Sequence, residues 1–114
     1  MKGTNLGELE ELILLVSAVL FDDAYGVAIQ EELRKRCERK ASLSTIHVVL
    51  HRLEVKGYLE SRFDGATSER GGRKKHLFRV TKSGQKALAH AREMRNELWK
   101  AAPASALLRT ISFE

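Results

Sequence analysis

Two histidines one helical turn apart, His47 and His51, are the residues whose types and spacing most readily suggest chemistry. Imidazoles at positions i and i+4 share one helix face, where they can bind a metal, take part in catalysis or contact a nucleic acid. A stable zinc site needs a third or fourth ligand, so Cys37, His76 or Glu54 would have to converge with the pair. Nothing in the spacing directs them there. We therefore expect neither a metal nor a cofactor.

Catalytic motifs are also missing from the sequence. It contains no nucleophile elbow, no phosphate-binding loop and no zinc signature. Asp22 and Asp23 follow an apolar segment, where they cap a helix or begin a loop, and no partner suggests that they share a proton. An enzyme would need a pocket with convergent titratable groups. We predict that the chain is not an enzyme.

Charge is distributed unevenly along the 114 residues, whose net charge is +5. Residues 1–32 contain one lysine and seven acidic side chains, whereas residues 33–82 contain fourteen lysines and arginines and five acidic side chains. Such a basic region attracts polyanions. A membrane is the weaker candidate because no basic amphipathic helix with an aromatic face is present, and no apolar run is long enough to span a bilayer. The single Cys37 excludes an internal disulfide and fits a reducing cytoplasm.

Apolar periodicity predicts three helices, then a hairpin, then a last helix. The first helix spans residues 8–21 and is apolar on nearly every side, so both of its faces need cover. The second spans about residues 24–36 and ends in a basic stretch that suits a helix C-terminus. Its buried positions are expected to be Tyr25, Val27, Ile29 and Leu33. This element order is that of a winged helix, with the second and third helices as a helix-turn-helix candidate.

The third helix carries the face that we expect to read DNA. Ser42 or Ser44 caps it, and Gly57 ends it. One side is apolar and faces the core, through Ile46, Val49, Leu50 and Leu53. The other combines hydroxyls, imidazoles, valine and arginine, groups that suit base edges and phosphates in the major groove. The DNA-contacting residues expected on this helix and at its ends are Lys40, Ser42, Ser44, Thr45, His47, Val48, His51, Arg52 and Lys56. Of these, Lys40 and Lys56 are expected to meet phosphate.

Alternating residues at 58–63 and 76–80 predict a β-hairpin whose tip is rich in glycine and cations. Glycines without side chains let the backbone approach a phosphate or a minor groove closely. The DNA-contacting residues expected here are Arg70, Gly71, Gly72, Arg73, Lys74 and Lys75. The alternative is a winged-helix module that docks an acidic protein partner. Cations on the hairpin as well as on the third helix favour DNA.

The last helix is predicted from Thr81 to about Lys100, before Pro103. Twenty residues form a rod about 30 Å long, too long to pack wholly on so small a body. This helix and the two-sided first helix both need a partner, which predicts a homodimer. The expected interface residues are Leu12, Leu15, Val16, Val19, Leu88, Ala91, Met94, Arg95, Leu98 and Trp99. The predicted chain is mostly α-helical with a small β-hairpin, comprising a winged-helix DNA-binding domain (residues 1–82), a dimerisation helix (83–102) and a flexible tail (103–114).

Four blocks carry a resemblance to a known family: "LGELEELILLVSAVL", "AYGVAIQEEL", "LSTIHVVLHRLEVKGYLESRF" and "GGRKKHLFRVTKSG". From about Leu6 to Leu98 the chain resembles the PadR family of bacterial transcriptional regulators, specifically its short members with one C-terminal helix. Where that family usually has "TLYPAL", with a tyrosine that contacts DNA, this chain has His47 at the tyrosine position and Val48 at the proline position. The β-hairpin is the wing of such a protein. The paired tyrosines that the family has there are replaced by residues that we expect to act in packing, Leu77 and Phe78.

The resemblance implies a sequence-specific, homodimeric repressor that binds an inverted repeat in a promoter. It also implies that a small aromatic or hydrophobic effector releases the DNA by binding near the dimer interface. Met94 and Trp99 are the residues expected to line such a site.

Overall fold

Residues 6–64 and 75–108, which this computed structural model describes, form five α-helices and one β-hairpin. The elements are α1 (Glu8–Leu20), α2 (Gly26–Cys37), α3 (Leu43–Val55), β1 (Leu59–Asp64), β2 (Lys75–Val80), α4 (Lys82–Ala101) and α5 (Ala104–Leu108), with a 3-10 turn (Phe21–Asp23) between α1 and α2. The predicted order of three helices, a hairpin and a long helix is confirmed. The short α5 was not predicted. None of these described helices has the length and apolar character needed to cross a membrane.

Backbone and side-chain caps determine where the first three helices end and begin. α1 ends at Phe21, which has a φ of 53° and donates its N–H to the last carbonyls of the helix. α2 ends at Glu38, also left-handed at φ 51°, whose N–H donates to the carbonyl of Leu33. α3 begins at Ser42, one of the two predicted caps, whose Oγ accepts the N–H of Thr45 at 3.1 Å. The helix boundaries agree with the predicted ones to within two residues.

One hydrophobic core holds the outward face of α3 in place. Its fully buried side chains come from α1, α2 and α3, namely Ile13, Leu14, Ile29, Leu33, Ile46, Leu50 and Leu53. Burying each such side chain stabilises the fold by about 1.5–3 kcal/mol. Val27 was predicted to be buried and is 54% exposed. It lies about 200° around α2 from Ile29, so the two side chains cannot face the same core.

The hairpin is attached to the helices as well as to itself. β1 pairs antiparallel with β2, and Asp64 lies opposite Lys75 at the end nearest the connecting segment. Leu77 and Phe78 are 5% and 4% exposed, which confirms that they act in packing. The N–H of Phe78 donates to the carbonyl of Ala24 at 2.8 Å. β2 is therefore bonded to the turn that precedes α2.

The long helix α4 starts on the body and then leaves it. Thr81 accepts the N–H of Gly84 at 3.0 Å and donates its hydroxyl to the carbonyl of Gly57 at 2.6 Å. Gly84 leaves no room for a side chain, because a Cβ there would lie 2.3 Å from the carbonyl oxygen of Tyr58. Further along, every residue from 92 to 100 is exposed. The second half of α4 is therefore an exposed arm, which Arg95 ties to α1 through Glu11.

Candidate nucleic-acid interface

The side of α3 that faces away from the core carries polar and small apolar groups. Val48 is 55% exposed, and its neighbours on this face are exposed as well, namely Ser44, Thr45, His47, His51 and Arg52. Lys40, on the connection that precedes the helix, is also exposed. This face is held in one orientation because the opposite side of the same helix is locked into the core. It can therefore present hydroxyls, imidazoles and a cation to a groove without rearrangement.

Three hydroxyl groups cluster at the start of α3. The Oγ of Ser42 lies 3.0 Å from the Oγ1 of Thr45 and 3.2 Å from the Oγ of Ser44, while it caps the helix. The connection before them is fixed by Gln30, whose side-chain amide donates to the carbonyl of Ala41 at 3.0 Å. Ser42 is thus engaged in capping, whereas the hydroxyls of Ser44 and Thr45 lie at the outer rim of the turn.

The ring of His47 lies against the start of α2. A Cβ on Gly26 would lie 2.8 Å from the Nε2 and 3.0 Å from the Cε1 of His47. The sequence reasoning missed this contact, although a glycine at the first position of a helix was a visible signal. Within residues 6–64 and 75–108, no group of three or more histidine, cysteine or acidic side chains is placed to hold a metal ion. His47 and His51 therefore have no third ligand among the described residues.

Lys56, predicted to meet phosphate, is paired with a buried carboxylate of its own chain. Its Nζ lies 2.9 Å and 3.1 Å from the two carboxylate oxygens of Glu10, whose side chain is 8% exposed, and Arg52 lies 3.9 Å from the same group. Burial acts to raise the pKa of Glu10, but the N–H of Gly7 and the two cations outweigh it and hold that pKa below its ordinary value. The carboxylate of Glu10 therefore competes with phosphate for Lys56.

The end of the hairpin nearest the connecting segment contributes a cation and an aromatic stack. The Nζ of Lys75 lies 4.6 Å from the ring centroid of Tyr25 at the start of α2, a cation–π contact. His76 stacks on Phe63 with ring centroids 4.3 Å apart and is tilted against Phe78 at 4.5 Å. The other predicted contacts of the wing lie outside the described residues, namely Arg70, Gly71, Gly72, Arg73 and Lys74.

Away from this face, α1 and α4 expose apolar side chains that no described element covers. The exposed fractions are 44% for Leu15, 54% for Val19, 51% for Met94, 67% for Leu98 and 65% for Trp99. Beside them, half-buried against the core, lie Leu12 and Leu88. Contiguous apolar surface of this kind marks an interaction site.

Three residues predicted at the dimer interface have partners within the chain. Val16 and Ala91 are 4% and 5% exposed, so their side chains belong to the interior of the single chain. Arg95 donates to both carboxylate oxygens of Glu11 and so ties the middle of α4 to α1. Because Glu11 accepts these hydrogen bonds and carries a negative charge, the pKa of Arg95 is raised above its ordinary value.

An open groove of about 480 Å³ runs between α1 and α4. Trp99 lines its apolar part together with Leu15 and Leu88, but Met94 does not line it. Its polar lining comes from Glu11, Gln85, Arg92, Arg95 and Asn96. Of the two residues expected to contact an effector, only Trp99 therefore borders this groove.

Known proteins share this architecture. Residues 14–90 match the family model described as the transcriptional regulator PadR-like family. The crystal structure of a PadR family transcription regulator from hypervirulent Clostridium difficile R20291 is similar, with 25% identity, a TM-score of 0.71, and coverage of 90% of this chain and 99% of that one. The PadR family regulator from Eggerthella lenta DSM 2243 has 26% identity, a TM-score of 0.67, and coverage of 91% and 88%. No curated protein matches the sequence significantly.

A transcriptional regulator from Clostridium thermocellum, at 20% identity, shares the fold with a TM-score of 0.67 and coverage of 91% of this chain and 90% of that one. The family match spans more than half of the chain and contains α2, α3 and both strands of the hairpin. These are the elements that form the exposed polar face and the wing. Members of this family regulate transcription and are not enzymes. The chain belongs to the PadR-like family of DNA-binding transcriptional regulators.

Proposed function

We propose that this regulator is a homodimeric repressor that binds an inverted-repeat operator with α3 and the wing. The observation that carries the proposal is the outward face of α3, which is polar and exposed while the opposite face is fully buried. A winged-helix protein places such a face in the major groove. Strand β2 of the wing adds a cation, Lys75, next to the start of α2.

Different residues serve recognition and affinity in this proposal. The first turns of α3 reach deepest into the groove, so base contacts are assigned to Ser44, Thr45, His47 and Val48. Valine can pack on a thymine methyl group, while hydroxyls and imidazoles can bond base edges. Phosphate contacts are assigned to Lys40, Arg52, Lys75 and the cations of the wing tip. Because phosphate contacts release counterions, binding weakens as salt rises.

A second copy of the chain is the proposed cover for the exposed side chains of α1 and α4. Large apolar side chains on these two helices stay exposed in the described part of the chain, namely Leu15, Val19, Met94, Leu98 and Trp99. Two-fold pairing through helices of about 30 Å would bring two recognition helices into one assembly. Successive major-groove half-sites on one side of a duplex lie about 34–36 Å apart. This spacing makes an inverted repeat the natural target of the dimer.

The proposed effector is a small aromatic or hydrophobic molecule that binds beside Trp99 in the groove between α1 and α4. The groove borders Leu15, which is among the exposed residues assigned to the dimer interface. A ligand there would change how the two chains pair and hence the distance between their recognition helices. We assign this repression of a promoter to the cytoplasm.

Selection of bound duplexes from a random-sequence pool tests this function. We expect an inverted repeat with half-sites about 10 base pairs apart, and a gel shift of the selected duplex that a scrambled duplex of equal length does not give. Affinity should fall steeply as salt rises. Enrichment of no sequence, together with retention of acidic proteins on the immobilised chain, would instead support the protein-docking alternative.

A further inference from the structure

Three consecutive residues at the start of α2 each contact an element that the proposed function places on DNA. Ala24, Tyr25 and Gly26 lie between the 3-10 turn and the body of α2. Ala24 and Tyr25 contact strand β2 of the wing, while Gly26 contacts the recognition helix α3. This short segment is therefore the place where the two proposed DNA-contacting elements meet.

The contact with the wing has a backbone part and a side-chain part. The carbonyl of the fully buried Ala24 accepts the N–H of Phe78 at 2.8 Å, which holds the middle of β2. The ring of Tyr25 holds the Nζ of Lys75 at 4.6 Å from its centroid. Lys75 is the first described residue after the wing tip, so this contact restrains the cation at the point where the hairpin opens.

The contact with α3 depends on the missing side chain of Gly26. Gly26 is buried and is not among the residues with a left-handed φ, so its backbone conformation alone does not require glycine. The observed position of the His47 ring does require glycine, because its Nε2 would lie 2.8 Å from an added Cβ. Heavy atoms that close overlap, and one of them has to move. Since His47 is exposed, its ring can swing away while the fold is kept.

We propose that Gly26 and Tyr25 are positioning residues for DNA recognition. Gly26 sets the orientation of the His47 ring on the recognition helix, and Tyr25 sets the position of Lys75, the first residue of β2. Neither residue needs to touch DNA to do so. This inference rests on the proposed function, because that function assigns His47 and Lys75 to the contacts with the duplex.

A double-mutant cycle tests the role of Gly26. The variants are Gly26→Ala, His47→Ala and the combination, and the probe is the duplex that the wild-type chain selects from a random pool, with a scrambled duplex for comparison. Gly26→Ala should weaken binding to the selected duplex about tenfold, as His47→Ala does, because one good base contact is lost in each. The combined variant should lose no more than either single variant, since alanine at position 47 frees the space for the Cβ.

Two measurements separate this role from a structural one. The urea midpoint of Gly26→Ala should stay near that of the wild type, because alanine is a better helix former than glycine and only an exposed ring is displaced. The Hε1 resonance of His47, identified by its absence in His47→Ala, should shift in Gly26→Ala while that of His51 stays in place. Unchanged binding of Gly26→Ala, or a loss that adds to that of His47→Ala, would overturn the proposal.

Tyr25 is tested with a conservative pair of variants. Tyr25→Phe keeps the aromatic face for Lys75 and should bind like the wild type, whereas Tyr25→Leu removes it and should bind both duplexes about threefold more weakly. In a Lys75→Ala background, Tyr25→Phe and Tyr25→Leu should bind the duplexes with equal affinity. A difference between them that persists without Lys75 overturns this part. If the wild type itself selects no duplex, the proposed function fails; if the wild type binds and the cycle is additive, only the positioning role fails.

Discussion

Replacing Glu10 with glutamine should lower the free energy of unfolding and strengthen binding to any DNA duplex. Glutamine keeps an oxygen for the N–H of Gly7, which donates to Glu10 at 2.8 Å, but removes the charge that holds Lys56 and Arg52. Breaking a fully buried pair costs about 3–5 kcal/mol. Here the side chains of Lys56 and Arg52 are 29% and 55% exposed, so they can turn towards water. We therefore expect a loss of about 1–2 kcal/mol.

The same pair predicts how stability depends on pH. Burial acts to raise the pKa of Glu10, but the N–H of Gly7 and the cations of Lys56 and Arg52 lower it below its ordinary value of 4.5 in the folded chain. Its contribution to stability is therefore complete above pH 4.5 and is lost as the pH falls through the lower folded value. The Glu10→Gln variant should differ most from the wild type at neutral pH and least in stronger acid.

Urea unfolding followed by circular dichroism, at neutral and acidic pH, measures this effect. Glu31→Gln is the matched control, because the Glu31–Arg34 pair at 2.7 Å joins side chains that are 56% and 55% exposed and should contribute little to stability. Fluorescence anisotropy with a scrambled duplex measures the second effect. Without the carboxylate of Glu10, Lys56 and Arg52 should contact phosphate more often and steepen the slope of log affinity against log salt by about 0.9 for each additional phosphate that they meet.

Either of two results would contradict the predicted role of Glu10. If Glu10→Gln unfolds at the same urea concentration as the wild type at neutral pH, the buried pair does not stabilise the fold. If the variant loses stability but binds scrambled DNA with an unchanged salt slope, the cations that it releases do not lie on the DNA-binding side.

Three further experiments test the dimer interface, the wing and the effector groove. Leu98→Asp should weaken self-association at least tenfold in sedimentation velocity without changing the fold, because the side chain is 67% exposed in the single chain; an unchanged dimer would place the interface elsewhere. Arg73→Ala should weaken binding to selected and scrambled duplexes alike and lower the salt slope by about 1, whereas a loss confined to the selected duplex would make Arg73 a base reader. Trp99 fluorescence should be quenched by planar aromatic compounds that also release DNA, and quenching without release would separate the groove from regulation.

Local signals made most of the fold predictable. Ser42 and Thr81 are capping residues whose hydroxyls accept N–H groups three residues further on, so a short window of sequence contains both donor and acceptor. Gly57, with a φ of 84°, ends α3 where a glycine stop was expected. The apolar spacing of α3 likewise separates its core face from its outward face. Each of these features depends on neighbours within one or two helical turns.

The parts that the sequence did not reveal depend on residues far apart in the chain. Glu10 and Lys56 are 46 positions apart, and their pairing appears only once α1 packs beside the end of α3. The closeness of Gly26 to His47 likewise follows from how α2 crosses α3. Val27 is a different case, because its angular separation from Ile29 on α2 follows from the sequence spacing and already indicates that the two side chains do not face one core.

The most direct test of the central claim is the mass of the complex between the wild-type chain and its selected duplex. Sedimentation equilibrium at physiological salt should give two chains on one duplex that carries both half-sites, and a duplex with one half-site scrambled should bind far more weakly. A complex with a single chain, equally tight on the full and the half-scrambled duplex, would contradict the account of a dimer that reads an inverted repeat.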